Sequence, residues 1–442
     1  MRKFLSVLLL LFVLLTSLGA GPASAGLGLP GLSTVYTDPA LSAALASARP
    51  TDQLRVVAMF QSPLSVLQRS SLLSAVTAGQ ALNELPMALL VATPAQLSLV
   101  KTLPGLKSLY LDKQLHFAMA ESVQVTGASR VWNELGYDGS GVTVAVIDSG
   151  IDGLHPDLSG DKVIANVKIV GHSDLAAGLY QAIPLPNTDT SSGHGTHVAG
   201  SVAGTGSASG GHHTGIAPGA SLVGVGTGDA IFIFTALEAF DWVMANQDAL
   251  SIDIITNSWG TTGTFDGNDP INTATKAAHD AGMVVLFASG NEGPSNNTLN
   301  PYSVAPWVIG VAAGNKDGRT LADFSSRGRP GDALYHPTVT APGVDIVSTR
   351  AANTVLPALG APSDINMNPS WLPYYTTMSG TSMATPQVAG IVALIRQANP
   401  SLSPDAIKQL LVSTATPMPG YSEYQVGAGY VNAFAAVQQA AR

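Results

Sequence analysis

Short apolar runs alternate with segments whose apolar residues recur every three or four positions, and the alternation becomes regular from Leu54 onward. "LRVVAMF" (54–60), "MALLVATP" (87–94) and "LKSLYLD" (106–112) have the length and residue types of strands. Between them, "SPLSVLQRSSLLSAV" (62–76), opened by Ser62 and Pro63, and "PAQLSLVKTLP" (94–104) carry helical spacing. Strand–helix–strand–helix–strand predicts a small α/β unit over about 54–117. The stretch before it, "GLGLPGLSTVYTDPALS" (26–42), reads as a flexible lead-in. The poorly patterned "KQLHFAMAESVQVTG" (113–127) after it reads as a connector.

From about Ala128 the pattern changes scale. "VTVAVID", "SLVGVG", "IDIITNSWG", "GMVVLFASG" and "WVIGVAA" are almost continuously apolar, as strands are when a sheet is covered on both faces. "IFTALEAFDWVMAN" and "INTATKAAHDAG" lie between them with helical spacing. The expectation is an α/β fold with a doubly wound, mostly parallel sheet, whose chemistry belongs just beyond the carboxyl ends of the strands.

Composition narrows the class. Of 442 residues only 11% are charged and 46% are hydrophobic, which describes a deeply buried globule rather than a disordered chain. The formal net charge of −9 argues against a nucleic-acid backbone or an anionic membrane as partner. The start, "MRKFLSVLLLLFVLLTSLGAGPASA", has a basic head (Arg2, Lys3), an apolar run from Phe4 to Leu15, and Ala23 and Ala25 in A-x-A spacing. That predicts a signal peptide over 1–25 and a secreted, extracellular protein, because the run is short of the ~20 apolar residues a membrane span needs. Cysteine is absent, so a Cys nucleophile, disulfides and Cys-based metal sites are excluded.

Candidate chemistry then appears where the fold predicts it. Asp148 ends "VTVAVIDSG" at the carboxyl end of an apolar strand, where it could equally cap a helix. "SSGHGTHVAG" (191–200) places His194 and His197 three positions apart. The spacing alone leaves open two metal ligands, one general base, or no chemistry at all. Ser382, in "MSGTSMATPQVAGIVALIRQ", is delivered by a Gly-Thr turn to the first turn of an apolar helix. Such a serine commonly caps the helix, but its N–H and the positive helix end also suit a developing oxyanion. Asp, His and Ser in this chain order match one of the known orders of the charge-coupled triad.

"VAVIDSGIDGLHPDL", "GHGTHVAG" and "SGTSMATPQVAG" resemble the three signature motifs of the subtilisin-like serine peptidases, in order, and the resemblance runs from Ala128 to the C-terminal helix. It implies that Asp148 orients the imidazole, His194 is general base and acid, Ser382 is the nucleophile, and His197 is a packing residue. It also implies that Asn291, in "FASGNEGP", donates to the oxyanion beside the Ser382 N–H. Substrate would add as a strand between "NSWG", with Ser258, Trp259 and Gly260, and "VGVG", with Val225 and Gly226. With no acid placed at the pocket base, broad cleavage after apolar or medium-sized residues is expected.

On the same resemblance, 26–120 is an inhibitory propeptide with a ferredoxin-like unit, 121–442 is the catalytic domain, and the processing bond lies within His116–Ser122. The partners are protein or peptide substrates and the chain's own propeptide. The mature enzyme is expected to be a monomer with no membrane contact, and catalysis needs no cofactor or metal. A structural calcium ion is possible but unsupported. The family's calcium loop corresponds to "GTGSASGGHHTGIAPGA" (204–220), which has no carboxylate, although Asp157 matches one calcium ligand. Gln387 stands where relatives carry His, and the Pro/Asn-rich stretch over 331–375 reads as a long surface loop. Two rival readings are an inactive homologue serving as a binding module, which the intact Asp148, His194, Asn291 and Ser382 argue against, and an α/β-hydrolase esterase. The esterase needs Ser before Asp before His and a G-x-S-x-G elbow, whereas Ser382 sits in G-T-S-M-A.

Overall fold

The apolar runs become the strands of two sheets in a computed structural model that describes residues 35–112, 114–117, 125–170, 180–352, 354, 364 and 367–442. The leader over 1–25 and the connector positions 118–124 lie outside the described residues.

The first sheet contains β1 (Tyr36–Thr37), β2 (Leu54–Phe60), β3 (Ala78–Ala81), β4 (Met87–Ala92) and β5 (Leu106–Leu111), in the order β1-β5-β2-β4-β3. With helices Val66–Ser74 and Pro94–Val100 after β2 and β4, β2 to β5 form a β-α-β-β-α-β unit of the ferredoxin-like kind. Two elements depart from the sequence reading. β3, "AGQA", carries no β-branched or aromatic residue. The described part of the lead-in, from residue 35, forms a strand and a helix. Asp38 caps helix Pro39–Ser47 by accepting from Leu41 N at 3.2 Å, and Tyr36–Thr37 pairs in parallel with β5.

The second sheet has eight strands: β7 (Thr143–Asp148), β8 (Val163–Val170), β9 (Gln181–Pro184), β10 (Ser221–Gly226), β12 (Ile252–Asn257), β14 (Val284–Ala288), β15 (Val308–Gly314) and β16 (Val339–Pro342). Their order is β16-β15-β14-β12-β7-β10-β8-β9, parallel throughout except for β9. The period-2 alternation of β7 shows the double winding. Val144 and Val146 join the core made by helices His194–Ala203, Thr381–Ala398 and Ala433–Ala440, while Ala145 and Ile147 join that of helices Ile233–Ala245 and Pro270–Asp280.

The small sheet is divided in the same way. Val56, Ala58, Ala88 and Leu90 face the unit's own helices, whereas Val57, Met59, Met87 and Leu89 belong to the core of the Ile233–Ala245 face. Polar groups pin this seam. Asp241 accepts from Asn83 N, Glu84 N and Leu85 N at 3.3, 2.7 and 3.3 Å, and Asp112 accepts from Phe234 N at 3.0 Å.

Two further expectations are corrected. The connector is not irregular throughout: β6 (Gln114–Phe117) lies between β11 (Ile231–Phe232) and β13 (Trp259–Gly260), antiparallel to both. Its polar–apolar alternation, Gln114, Leu115, His116 and Phe117, spans only four residues, too few to stand out from the connector around it. The stretch over 331–375 is not one surface loop, because it supplies β16 at the edge of the main sheet and β17 (Ile346–Thr349), which pairs with β18 (Tyr375–Met378).

Candidate functional site

Asp148 and His194 come together at the carboxyl end of β7. Both side chains are fully buried, and Asp148 Oδ1 lies 2.6 Å from His194 Nδ1. A carboxylate can only accept, so Nδ1 carries the proton and Nε2 is left as the basic nitrogen. Asp148 Oδ1 also accepts from Ser149 N at 2.8 Å, and the Asp148 carbonyl accepts from Thr227 N and Oγ1, both at 2.8 Å. Asp148 therefore caps no helix. It is fixed at a strand end.

His194 begins helix His194–Ala203, and the backbone leading into it requires glycine. Gly193 has φ +85°, a left-handed conformation that strains other residues. Gly195 lies so close to Gly150 and Asp148 that a Cβ would fall 2.9 Å from Gly150 N and 3.0 Å from Asp148 Cβ. The Gly in H-G-T-H thus lets the helix approach the strand.

Ser382 is the second residue of helix Thr381–Ala398, whose cap is Gly380, so its hydroxyl does not cap the helix. Its Oγ lies 2.5 Å from the Ser258 carbonyl oxygen, and Ser258 Oγ donates in return to the Ser382 carbonyl at 2.6 Å. Every residue from Thr381 to Ile395 is buried, so the whole core holds the serine in place. Asn291 stands beside this helix start. Its Oδ1 accepts from Thr381 N at 2.9 Å and Thr381 Oγ1 at 3.1 Å, which leaves the amide NH2 as its remaining donor.

His197 is held differently from His194. It is completely buried, its Nε2 donates to the Thr376 carbonyl at 3.1 Å, and burial pushes its pKa down to about 3. It stays neutral and occupied, so the two histidines do not share a task.

The strand-forming residues divide. Trp259 and Gly260 pair through their backbones with Phe117 and His116, while the Trp259 indole is core, donating to the Ile147 carbonyl at 2.8 Å. Val225 and Gly226 do not form the opposite wall. They lie inside β10, paired with β7 on one side and β8 on the other, so neither offers a free edge. The other strand paired with β6 is Ile231–Phe232, which sequence reasoning missed because "IFIFTALEAF" runs straight into the helix that follows.

Asp157 does not fit a cation. Its Oδ1 accepts from Ser207 Oγ at 3.0 Å and Ala208 N at 2.9 Å, and its Oδ2 accepts from Tyr375 OH at 2.6 Å. Donors from the 204–220 stretch thus meet one oxygen and Tyr375 the other, and among the described residues no group of three or more His, Asp or Glu could hold a metal ion. Gln387 is buried and donates to the Pro342 carbonyl at 3.1 Å.

Comparison with known proteins gives the fold and site a context. The sequence profile of the subtilase family matches residues 139–430. The chain is 36% identical over 361 residues to serine protease AprX of Bacillus subtilis, covering 77% of this chain and 76% of that protein. It is 36% identical over 311 residues to subtilisin E of the same organism, covering 69% and 67%. Bacillopeptidase F, also from Bacillus subtilis, is 34% identical over 345 residues, which span 72% of this chain but 22% of that protein. The fold resembles that of fervidolysin from Fervidobacterium pennivorans, a keratinolytic enzyme related to subtilisin. The TM-score is 0.67 at 21% identity, over 92% of this chain and 63% of that one.

Proposed function

The chain belongs to the subtilase family and is a subtilisin-like serine endopeptidase, and on that premise we propose that Asp148, His194 and Ser382 form its catalytic triad. The observation that carries this reading is the buried 2.6 Å contact between Asp148 Oδ1 and His194 Nδ1. It fixes the tautomer in which Nε2 accepts the Ser382 hydroxyl proton as Oγ attacks the scissile carbonyl. The same Nε2–H then returns the proton to the leaving amine, while Asp148 stabilises the imidazolium. The tetrahedral oxyanion is received by the Ser382 N–H at the helix start and the Asn291 amide. A side-chain donor of this kind was worth about 10²–10³ in turnover when removed from subtilisin itself.

Residues 26–120 act as an inhibitory propeptide of an exported protease. The support is β6, which takes the position of an added strand between Ile231–Phe232 and Trp259–Gly260. Phe117 is opposite Trp259, next to Ser258, whose carbonyl touches Ser382 Oγ. The processing bond therefore lies just beyond Phe117, at the end of residues 26–120, and protein substrates bind along the same two edges.

Ser382→Ala in a protease-deficient host tests both parts. The variant should accumulate as the unprocessed chain, while the parent yields a mature N-terminus within a few residues of Phe117 by mass spectrometry. Normal maturation of the variant would overturn self-processing by Ser382.

A further inference from the structure

Asp189 is a buried carboxylate, 1% exposed, in the loop before helix His194–Ala203, and it has no part in the chemistry proposed above. Two pairs of donors surround it. Oδ1 accepts from Ser149 Oγ at 3.1 Å and Gly193 N at 2.8 Å, and Oδ2 accepts from Thr196 N at 3.0 Å and Thr196 Oγ1 at 2.7 Å. Ser149 follows Asp148 at the end of β7, while Gly193 and Thr196 flank His194. Ser149 Oγ in turn accepts from Gly195 N at 2.8 Å, so the residue after His194 is tied to the residue after Asp148.

The first N–H groups of a helix have no partner within it, and Gly193 offers no capping side chain. Asp189 takes over that role for the helix that carries His194. Its negative charge also lies where the helix dipole is positive. Lys168, which donates to the Ser149 carbonyl at 3.2 Å and the Thr188 carbonyl at 2.9 Å, supplies a cation on the same side.

We propose that Asp189 is a positioning residue that locks the His194 helix start to the Asp148 strand end and so sets the Asp148–His194 contact. The proposal rests on the reading of His194 as the general base. Because Asp189 touches no reacting atom, it should act on the chemical step and leave substrate binding alone.

Asp189→Asn keeps the shape but must turn an NH2 toward one of two backbone donors that cannot rotate, Gly193 N or Thr196 N. In the processed chain, kcat for a short peptide should fall about 10- to 100-fold, as small misplacements of catalytic groups do. KM should stay within about twofold, because only the transition-state geometry is lost. The downfield proton resonance of His194 Nδ1–H should shift or vanish while unfolding remains cooperative. Ser149→Ala, which removes one of the four donors to Asp189 and the acceptor for Gly195 N, should give a smaller loss of the same kind. The double variant should be no worse than Asp189→Asn alone, since both act through one network. A parent-like kcat and resonance in Asp189→Asn would overturn the proposal, as would fully multiplicative losses in the double variant. If Asp189→Asn does not fold, an unchanged kcat and resonance in Ser149→Ala overturns it. His194→Ala separates the two levels: an active His194→Ala sinks the triad itself, while an inactive one beside an unaffected Asp189→Asn sinks only the role of Asp189.

Discussion

Gln80 Nε2 donates to Glu238 Oε1 at 2.5 Å, a buried hydrogen bond that crosses from β3 to helix Ile233–Ala245. Burial, with Asp112 and Asp241 nearby, outweighs the Gln80 hydrogen bond and the Arg55 charge and pushes the Glu238 pKa from 4.5 up to about 8. Between those values the docked carboxyl holds a proton that an exposed one releases. The docked state is therefore at full strength below pH 4.5 and weakens as the pH rises toward 8. In the Ser382→Ala chain, Glu238→Gln should match its parent in thermal stability near pH 4.5 and exceed it increasingly toward pH 8. The ceiling is about 1.4 kcal/mol for each pH unit. A constant difference across that range would remove Glu238 as the titrating group.

His197 carries the opposite sign. Its pKa is about 3 in the folded chain against 6.5 when exposed, so unfolding takes up a proton between about pH 3 and 6.5. His197→Ala should lose about 1–3 kcal/mol near neutral pH, because the Thr376 carbonyl is left without its donor. The gap to the parent should narrow as the pH falls from 6.5 toward 3. Turnover per folded molecule should stay near the parent's, whereas His194→Ala should lose about 10⁴-fold or more. Equal losses of turnover in the two variants would contradict this division.

Asp157 gives a prediction about metal removal. Its oxygens are met by Ser207, Ala208 and Tyr375, so its contribution to stability is a hydrogen-bond contribution. Asp157→Asn and Tyr375→Phe should each lower stability by about 1–3 kcal/mol, by the same amount with calcium as with chelator. A loss at Asp157 that appears only in the presence of calcium would assign an ion to that carboxylate.

Gly260 tests the strand edge. A Cβ there would overlap the side chain of Asn300, which donates to the Trp259 carbonyl at 3.1 Å and the Ala288 carbonyl at 2.8 Å. Gly260→Ala should therefore cost about 1–3 kcal/mol by overpacking and raise KM for peptides long enough to pair with Trp259–Gly260. Unchanged KM across a series of peptide lengths would count against this edge as the substrate's partner.

These residues also show what the sequence could reveal. β7, β10, β12, β14 and β15 were legible because burial on both faces makes them continuously apolar. Four-residue strands such as "AGQA" at β3 and Gln114–Phe117 at β6 are too short and too mixed in composition to carry such a signal. Val225 and Gly226 were misplaced because "VGVG" has the composition of a strand but gives no hint that β7 and β8 take both its edges. The Asp148–His194 contact was legible through motif and order. Asp189 was not, since an aspartate in "NTDTSSGHG" looks like any polar loop residue until its four donors are seen in space.

The place of β7 has a consequence in time. It is early in the chain yet central in the large sheet, and its neighbours begin only at Ser221 and Ile252. The sheet cannot close until distant segments have met, which is the slow kind of assembly. The small sheet needs only the contiguous chain from Tyr36 to Leu111, so it can be complete while β7 still waits for its partners. Its exposed row of Val57, Met59, Met87 and Leu89 then offers a ready surface to helix Ile233–Ala245 as that helix forms. The order of synthesis thus lets the small sheet be complete before β7 has either neighbour, and Ser382 is made after both Asp148 and His194.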